Sequence, residues 1–182
     1  MNTEALEKPL PKPSTEDYVA ARLLESLIEA GLAIKFLKDG LVRNAAGKAF
    51  QAWRAFLAAL LRFELDKLIQ TTRADEERRW LMERAVPRVL TTRMVRLSQM
   101  LEEVGHYGIS AWTDRALNLH DYQYNGPDPD MALSKYGSRE EAAVAVMGLV
   151  KELANRIENL KPRVKWNDEL ENALNELRKA IK

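Results

Sequence analysis

The chain has 182 residues, with 28 Lys and Arg, 27 Asp and Glu, two His and no Cys, so disulfides, thiolate zinc sites and cysteine nucleophiles are excluded. With 46% hydrophobic and 30% charged residues it has the composition of a soluble globular protein, and its Arg- and Glu-rich, cysteine-free character is typical of thermophiles. The first twelve residues lack the apolar stretch of a signal peptide, and the longest apolar run, residues 55–61, is far shorter than the roughly 20 residues that span a bilayer, which predicts a cytoplasmic protein without membrane contact.

Two long helices are predicted in the first half of the chain. Three closely spaced prolines predict an extended N-terminal arm over residues 1–13. Apolar residues at steps of three and four then predict a helix over 14–38, which Asp39-Gly40 ends. A second helix is expected over 41–71. Because the connection is so short, the two helices should form an antiparallel hairpin.

Shorter helices are predicted in the middle of the chain. Pro87 should break a charged helical region into two pieces, over 74–86 and 88–104, since proline lacks an N–H and clashes with the preceding turn. A glycine turn follows, and then a short helix over 109–119. This helix is expected to end near His120, because the next residues resemble a loop.

The last part of the chain is predicted to be a loop and a helix pair. Residues 121–137 contain an Asn-Gly-Pro-Asp-Pro-Asp run typical of irregular surface loops. Ser138 and Glu141 have the spacing of a capping box, which predicts the start of a helix there. Residues 138–182 are expected to form a C-terminal helix pair, which either belongs to the bundle or is a dimer arm. Since no β-type alternation occurs, we predict an all-α, up-and-down helical bundle, with one domain over 14–182.

Several familiar chemistries lack their motifs. The eight glycines form no phosphate-binding loop, and no nucleophile elbow is present. Glu103 and His106 have the Glu-x-x-His spacing of di-iron bundles, but the spacing occurs once where that site needs two copies, and His106 is expected to be exposed in its glycine turn. A helix–turn–helix over 92–119 would present Asp114 and Arg115 as the only charges of its second helix, a poor surface for phosphates. We therefore expect no metal and no cofactor.

One pair of residues can carry chemistry. Arg115 and His120 have the pattern Arg-x4-His: arginine holds a phosphate through its fork of donors, and histidine moves protons near neutral pH. Together they suffice for metal-free RNA cleavage, in which the 2′-hydroxyl is the nucleophile. On an unbroken helix, residues five apart point about 140° apart and lie about 7.5 Å apart along the axis. The pair can act together only if the helix ends before His120 or a second protomer completes the site. Otherwise His120 simply caps a helix C-terminus.

Positive charge is concentrated in the middle of the chain. Residues 41–101 carry 12 basic and 6 acidic side chains, whereas residues 102–137 carry 2 and 6. The segment 84–101 has four arginines and no acid, so it either contacts phosphates or complements the acidic 102–137 segment. Two tyrosines after His120 either stack on bases or pack the loop onto the bundle. The candidate substrate-binding residues are Asn118, Tyr122, Tyr124, Arg88, Arg93 and Arg96.

Two stretches carry a family resemblance. In residues 43–57, small residues are followed by aromatic ones, and residues 119–124 read Leu-His-Asp-Tyr-Gln-Tyr. With the Arg-x4-His pair, this pattern resembles the HEPN superfamily (higher eukaryotes and prokaryotes nucleotide-binding domains) over about residues 14–160. The resemblance implies an up-and-down bundle, usually a homodimer, with Arg and His in a cleft between protomers. It also implies a metal-independent endoribonuclease, in some members a toxin paired with a small nucleotidyltransferase, or else a member that has lost activity and acts as a binding module.

Two functions therefore remain open for this chain. As an endoribonuclease it would use His120 as general acid–base and Arg115 to stabilise the developing phosphate charge. As a non-catalytic module it would use an apolar helix face to bind itself or another protein. Ala116 and the acidic loop favour the second, because ribonuclease members usually have a polar residue after the arginine; Asn118, two residues further on, is the candidate replacement. The intact Arg–His pair favours the first.

Overall fold

The structure, a computed structural model, describes residues 3–15 and 17–182, and these residues form helices and connecting turns without any β-strand. The predicted all-α helical bundle is confirmed. The α-helices are α1 (Asp17–Lys38), α2 (Val42–Phe63), α3 (Leu65–Thr71), α4 (Asp75–Trp80), α5 (Met94–Glu103), α6 (Ile109–Asn125), α7 (Arg139–Leu160) and α8 (Asp168–Ala180).

Helix α2 is the centre of the bundle and packs against α1, α6 and α7. From residue 45 to residue 61 every side chain is buried except Lys48, Gln51 and Arg54, which are partly exposed. Small residues in the first half of α2 permit close helix approach, and fully buried Trp53 fills the middle. Its indole Nε1 donates to the Thr113 hydroxyl at 3.0 Å, which ties α6 to α2.

The N-terminal hairpin is as predicted, but its second helix is shorter. Helices α1 and α2 are joined through Gly40, whose φ of 73° is the left-handed conformation that glycine adopts easily. The predicted single helix over 41–71 is wrong, because it is interrupted at Glu64, between α2 and α3. The carboxylate of this buried residue binds His106 and Arg163, which are distant in the sequence, and helical periodicity does not contain such long-range contacts.

Pro87 breaks the charged helix, as predicted. Helix α4 continues into one π-helical turn over Leu81–Ala85 and stops before the proline. The prediction that the next piece begins at residue 88 is wrong: a 3-10 turn comes first, at Thr91–Arg93, and α5 begins only at Met94. Residues 88–90 instead form an irregular segment against the bundle, with Val89 buried.

Helix α6 contradicts the predicted end at residue 119. It continues without a break to Asn125 and ends at Gly126, whose φ of 72° is left-handed. The helix continues because Leu119 and Tyr122, three residues apart on one face, are both fully buried. The segment from His120 to Asn125 is therefore helix and not loop.

The two ends of the chain pack on the central hairpin. Residues Thr3–Glu7 form a short 3-10 helix, so the predicted extended arm over residues 1–13 is wrong there; its residues 1 and 2 lie outside the described part of the chain. The proline-containing residues 9–12 have no regular secondary structure. In the C-terminal pair, α7 contacts α1, α2 and α6, and α8 lies on α1, so both helices belong to the bundle. Every helix within the described ranges is too short or too polar to cross a bilayer.

Candidate functional site

Arg115 and His120 face different surroundings on the continuous helix α6. The Arg115 guanidinium lies 4.6 Å from the ring of Trp112 and lines a groove of about 790 Å³ between α6, α7 and the loop that joins them. The imidazole of His120 instead stacks on Phe50 of α2, with ring centroids 4.1 Å apart. Within one chain the two side chains therefore do not form a common site. Because the helix does not end before His120, they can act together only if a second protomer brings them into one site.

The electrostatics of the two groups agree with this separation. Burial lowers the pKa of His120; the charge of Arg54 lowers it further, while Asp121 partly opposes the shift. The charge of Arg115 acts on Tyr136, where it partly offsets the rise in pKa that burial causes. The arginine that influences His120 is thus Arg54, not Arg115.

His120 is held mainly by aromatic contacts. Besides stacking on Phe50 it meets the edge of Tyr124, with ring centroids 5.2 Å apart. Its Nδ1 is buried and has no hydrogen-bond partner in the described part of the chain. With a lowered pKa the ring is neutral near pH 7, the form that accepts a proton.

Arg54 is the residue of this region that sequence reasoning missed. It lies in the middle of α2 between apolar neighbours, with its Cζ 5.8 Å from the centre of the same Phe50 ring. It makes no hydrogen bond or ion pair with any described residue, and burial lowers its pKa, although guanidinium stays charged. The available signal was a single arginine, four residues after Phe50, within a run of small and apolar residues.

The three candidate arginines of the basic stripe have different environments. Arg93 lies over the ring of Trp80 at 5.7 Å. Arg96 pairs with Glu77 and with Glu103, at 3.4 and 3.5 Å, so its charge is largely compensated. Arg88 is exposed and lines a pocket of about 340 Å³ together with Arg22 and Arg54. The three arginines therefore do not line one pocket.

The three remaining candidate substrate-binding residues, Asn118, Tyr122 and Tyr124, also lie in different environments. Asn118 lines the same groove as Arg115. Tyr122 is fully buried, with its ring 5.9 Å from that of Tyr136, so it packs the loop onto the bundle and its ring is not free to stack on a base. Tyr124 is 64% exposed beside His120 and is the tyrosine that a ligand can reach.

His106 is not the exposed residue that its glycine turn predicted. Its Nε2 lies 3.0 Å from Oε1 of Glu64. The same carboxylate also binds Arg163 through Oε1 and Lys67 through Oε2. Burial would raise the pKa of Glu64, but the hydrogen bonds from Lys67 and His106 outweigh burial and hold that pKa below its usual range. Burial lowers the pKa of His106, and Glu64 offsets this only in part. This cluster joins three distant segments, so its role is structural.

No group of three or more His, Asp or Glu side chains among residues 3–15 and 17–182 is arranged to hold a metal ion.

The model of the archaeal PaREP1/PaREP8 family matches residues 21–147, which is well over half of the chain. The chain therefore belongs to that family. Comparisons with curated proteins and with solved structures find no match. The resemblance to the HEPN superfamily stays a prediction.

Proposed function

We propose that this member of the archaeal PaREP1/PaREP8 family is a HEPN-like, non-catalytic module that associates with a second copy of itself. The surface used is the α6–α7 face, defined by Arg115, Asn118, Met131, Tyr136 and Val144, which line the groove described above. The observation that carries the proposal is the exposure of large apolar side chains there: Val144 is 73% exposed and Met131 is 51% exposed. Such side chains clustered around a groove are typical of interaction surfaces.

The charges around this groove favour a second copy as the partner. Arg115 and Lys135 line it beside the acidic Asp114 and Glu140. In a two-fold symmetric contact the same patch faces itself, so a patch with both signs of charge can pair with its own copy. A small nucleotidyltransferase partner, as the HEPN resemblance implies, has no comparable support on this surface.

The oligomeric state tests the proposal. We expect light scattering after size-exclusion chromatography to give a dimer for the unmodified chain and a monomer for Val144→Glu, because a carboxylate would be buried at the contact. Val95→Glu is the matched control: Val95 is an exposed apolar residue of α5 that does not line the groove, and this variant should stay dimeric. A monomeric unmodified chain, or equal dissociation of both variants, contradicts the proposal.

Endoribonuclease activity is the second candidate, favoured by the neutral, unpartnered imidazole of His120. It requires the partner's Arg115 at the His120 of the first protomer. Arg115→Ala and His120→Ala should then each be inactive against a single-stranded RNA. Their equimolar mixture should regain roughly a quarter of the activity, since half the dimers are mixed and each has one complete site. Absence of cleavage by the unmodified chain removes this candidate and leaves the interaction module.

A further inference from the structure

We infer that the pocket between α1, α2 and the segment after Pro87 binds a phosphate group of a nucleotide or of a nucleic-acid strand. Three arginines from three separate segments, Arg22, Arg54 and Arg88, line this pocket of about 340 Å³. Its size is at the lower end of the range for small-molecule sites. The remaining lining residues that the structure describes include no acid, so the pocket has a surplus of positive charge.

Arg22 is fixed in place before any ligand arrives. Its Nε donates to the Tyr18 hydroxyl at 2.9 Å, and Nη1 binds Glu25 at 2.7 Å. Its other Nη reaches the carbonyl of Pro87 at 3.4 Å, which also holds the segment that carries Arg88. The negative charge of Glu25 compensates the positive charge of Arg22. The main role of Arg22 is therefore to hold the segment after Pro87 in place, and it adds little net charge to the pocket.

Arg54 and Arg88 supply the uncompensated charge. Arg54 is partly buried and has no ion pair in the described ranges; Glu25 and Glu29 act on it only at a distance, and each already pairs with another cation, Arg22 and Lys48 respectively. Arg88 is exposed at the mouth of the pocket. A partly desolvated guanidinium without an ion pair is costly to keep, and an anion compensates it.

Phosphate fits this arrangement better than a carboxylate does. The pocket is lined by arginines from three separate segments. A phosphate has several acceptor oxygens that point in different directions and can bind donors from separate segments, whereas a carboxylate presents one edge. Thr91 adds a lining residue with a hydroxyl group. This site does not depend on self-association of the chain.

Binding is measured with three probes on the full chain: inorganic phosphate, adenosine 5′-monophosphate and a fluorescent ten-nucleotide RNA. We expect Arg54→Gln and Arg88→Gln each to weaken the binding of the probes at least tenfold. For the RNA, each substitution should also reduce the slope of log affinity against log salt concentration by about one. Arg84→Gln is the matched control, since Arg84 is an exposed arginine of the same stripe outside the pocket, and it should bind as the unmodified chain does.

The probes also identify the source of the phosphate. Binding of the mononucleotide supports a nucleotide ligand, and binding of the RNA alone supports a strand. The NMR titration of His120 is a second readout: a bound phosphate compensates Arg54, so it should raise the pKa of His120. Equal loss of affinity in Arg84→Gln and Arg54→Gln, or no binding of any probe at low salt, overturns the inference. Arg88→Gln keeps the test valid if Arg54→Gln does not fold.

Discussion

Replacement of Thr113 by valine tests the buried hydrogen bond that holds α6 against α2. Trp53 and Thr113 are both fully buried, and the indole N–H donates to the threonine hydroxyl at 3.0 Å. Valine has nearly the same shape, so the change removes the acceptor without opening a cavity. The indole N–H is then buried without a partner, which costs about 1–3 kcal/mol of unfolding free energy. For a chain of this size, that lowers the melting temperature by about 2–4 °C per kcal/mol.

Urea unfolding followed by circular dichroism gives the free energy directly. Thr113→Ser is the control, because it keeps the hydroxyl and loses one methyl group, a cost of about 1 kcal/mol. Trp53→Phe completes a double-mutant cycle: with the indole N–H already absent, Thr113→Val should cost less than it does in the unmodified chain. If Thr113→Val is as stable as the unmodified chain, the hydrogen bond does not stabilise the packing of α6 on α2.

Three further predictions concern stability. Ser138→Ala removes the capping box with Glu141 at the start of α7 and should cost about 1 kcal/mol in urea unfolding; no loss contradicts the cap. Glu64→Gln keeps the shape but weakens the hydrogen bonds to charged partners, so we expect a loss of about 1.5–3 kcal/mol at pH 7, and a neutral effect refutes it. Folding lowers the pKa of both His106 and His120, so the unfolded chain binds protons first as the pH falls. The unfolding free energy should therefore have its full value above about pH 6.5. Below that pH it should decrease by at most about 1.4 kcal/mol per pH unit for each histidine. An unfolding free energy that does not change between pH 7 and pH 5 contradicts this prediction.

The parts of the fold that were predicted from the sequence have local causes. The hairpin follows from apolar periodicity and the Gly40 turn, and the break at Pro87 follows from a missing donor. Ser138 and Glu141 form a capping box within four residues. Each of these features is decided by neighbours in the sequence, so no knowledge of the packing is needed to find it.

The parts that sequence reasoning missed depend on contacts between distant segments. The interruption at Glu64 makes sense only once Arg163, about a hundred residues later, is seen at 3.0 Å from its carboxylate. The end of α6 does have a local signal in the sequence, the Gly126-Pro127 pair. However, the polar residues directly after His120 are also typical of a loop, and they led to the prediction that the helix ends earlier. Tyr122 resolves the choice, because only a helix carries this residue into the core beside Leu119.

The candidate site illustrates the same distinction most clearly. Arg115 and His120 were paired because they are close in sequence, yet a continuous helix directs them to different sides. Arg54 is 66 positions from His120, but both contact the ring of Phe50, because α2 and α6 pack against each other at that level. If the charge of Arg54 does act on His120, then Arg54→Gln should raise the pKa of His120, whereas Arg115→Gln should leave it unchanged. NMR titration of the two variants measures this, and an equal response to both would mean that the arginine of the motif reaches the histidine after all, through a second protomer.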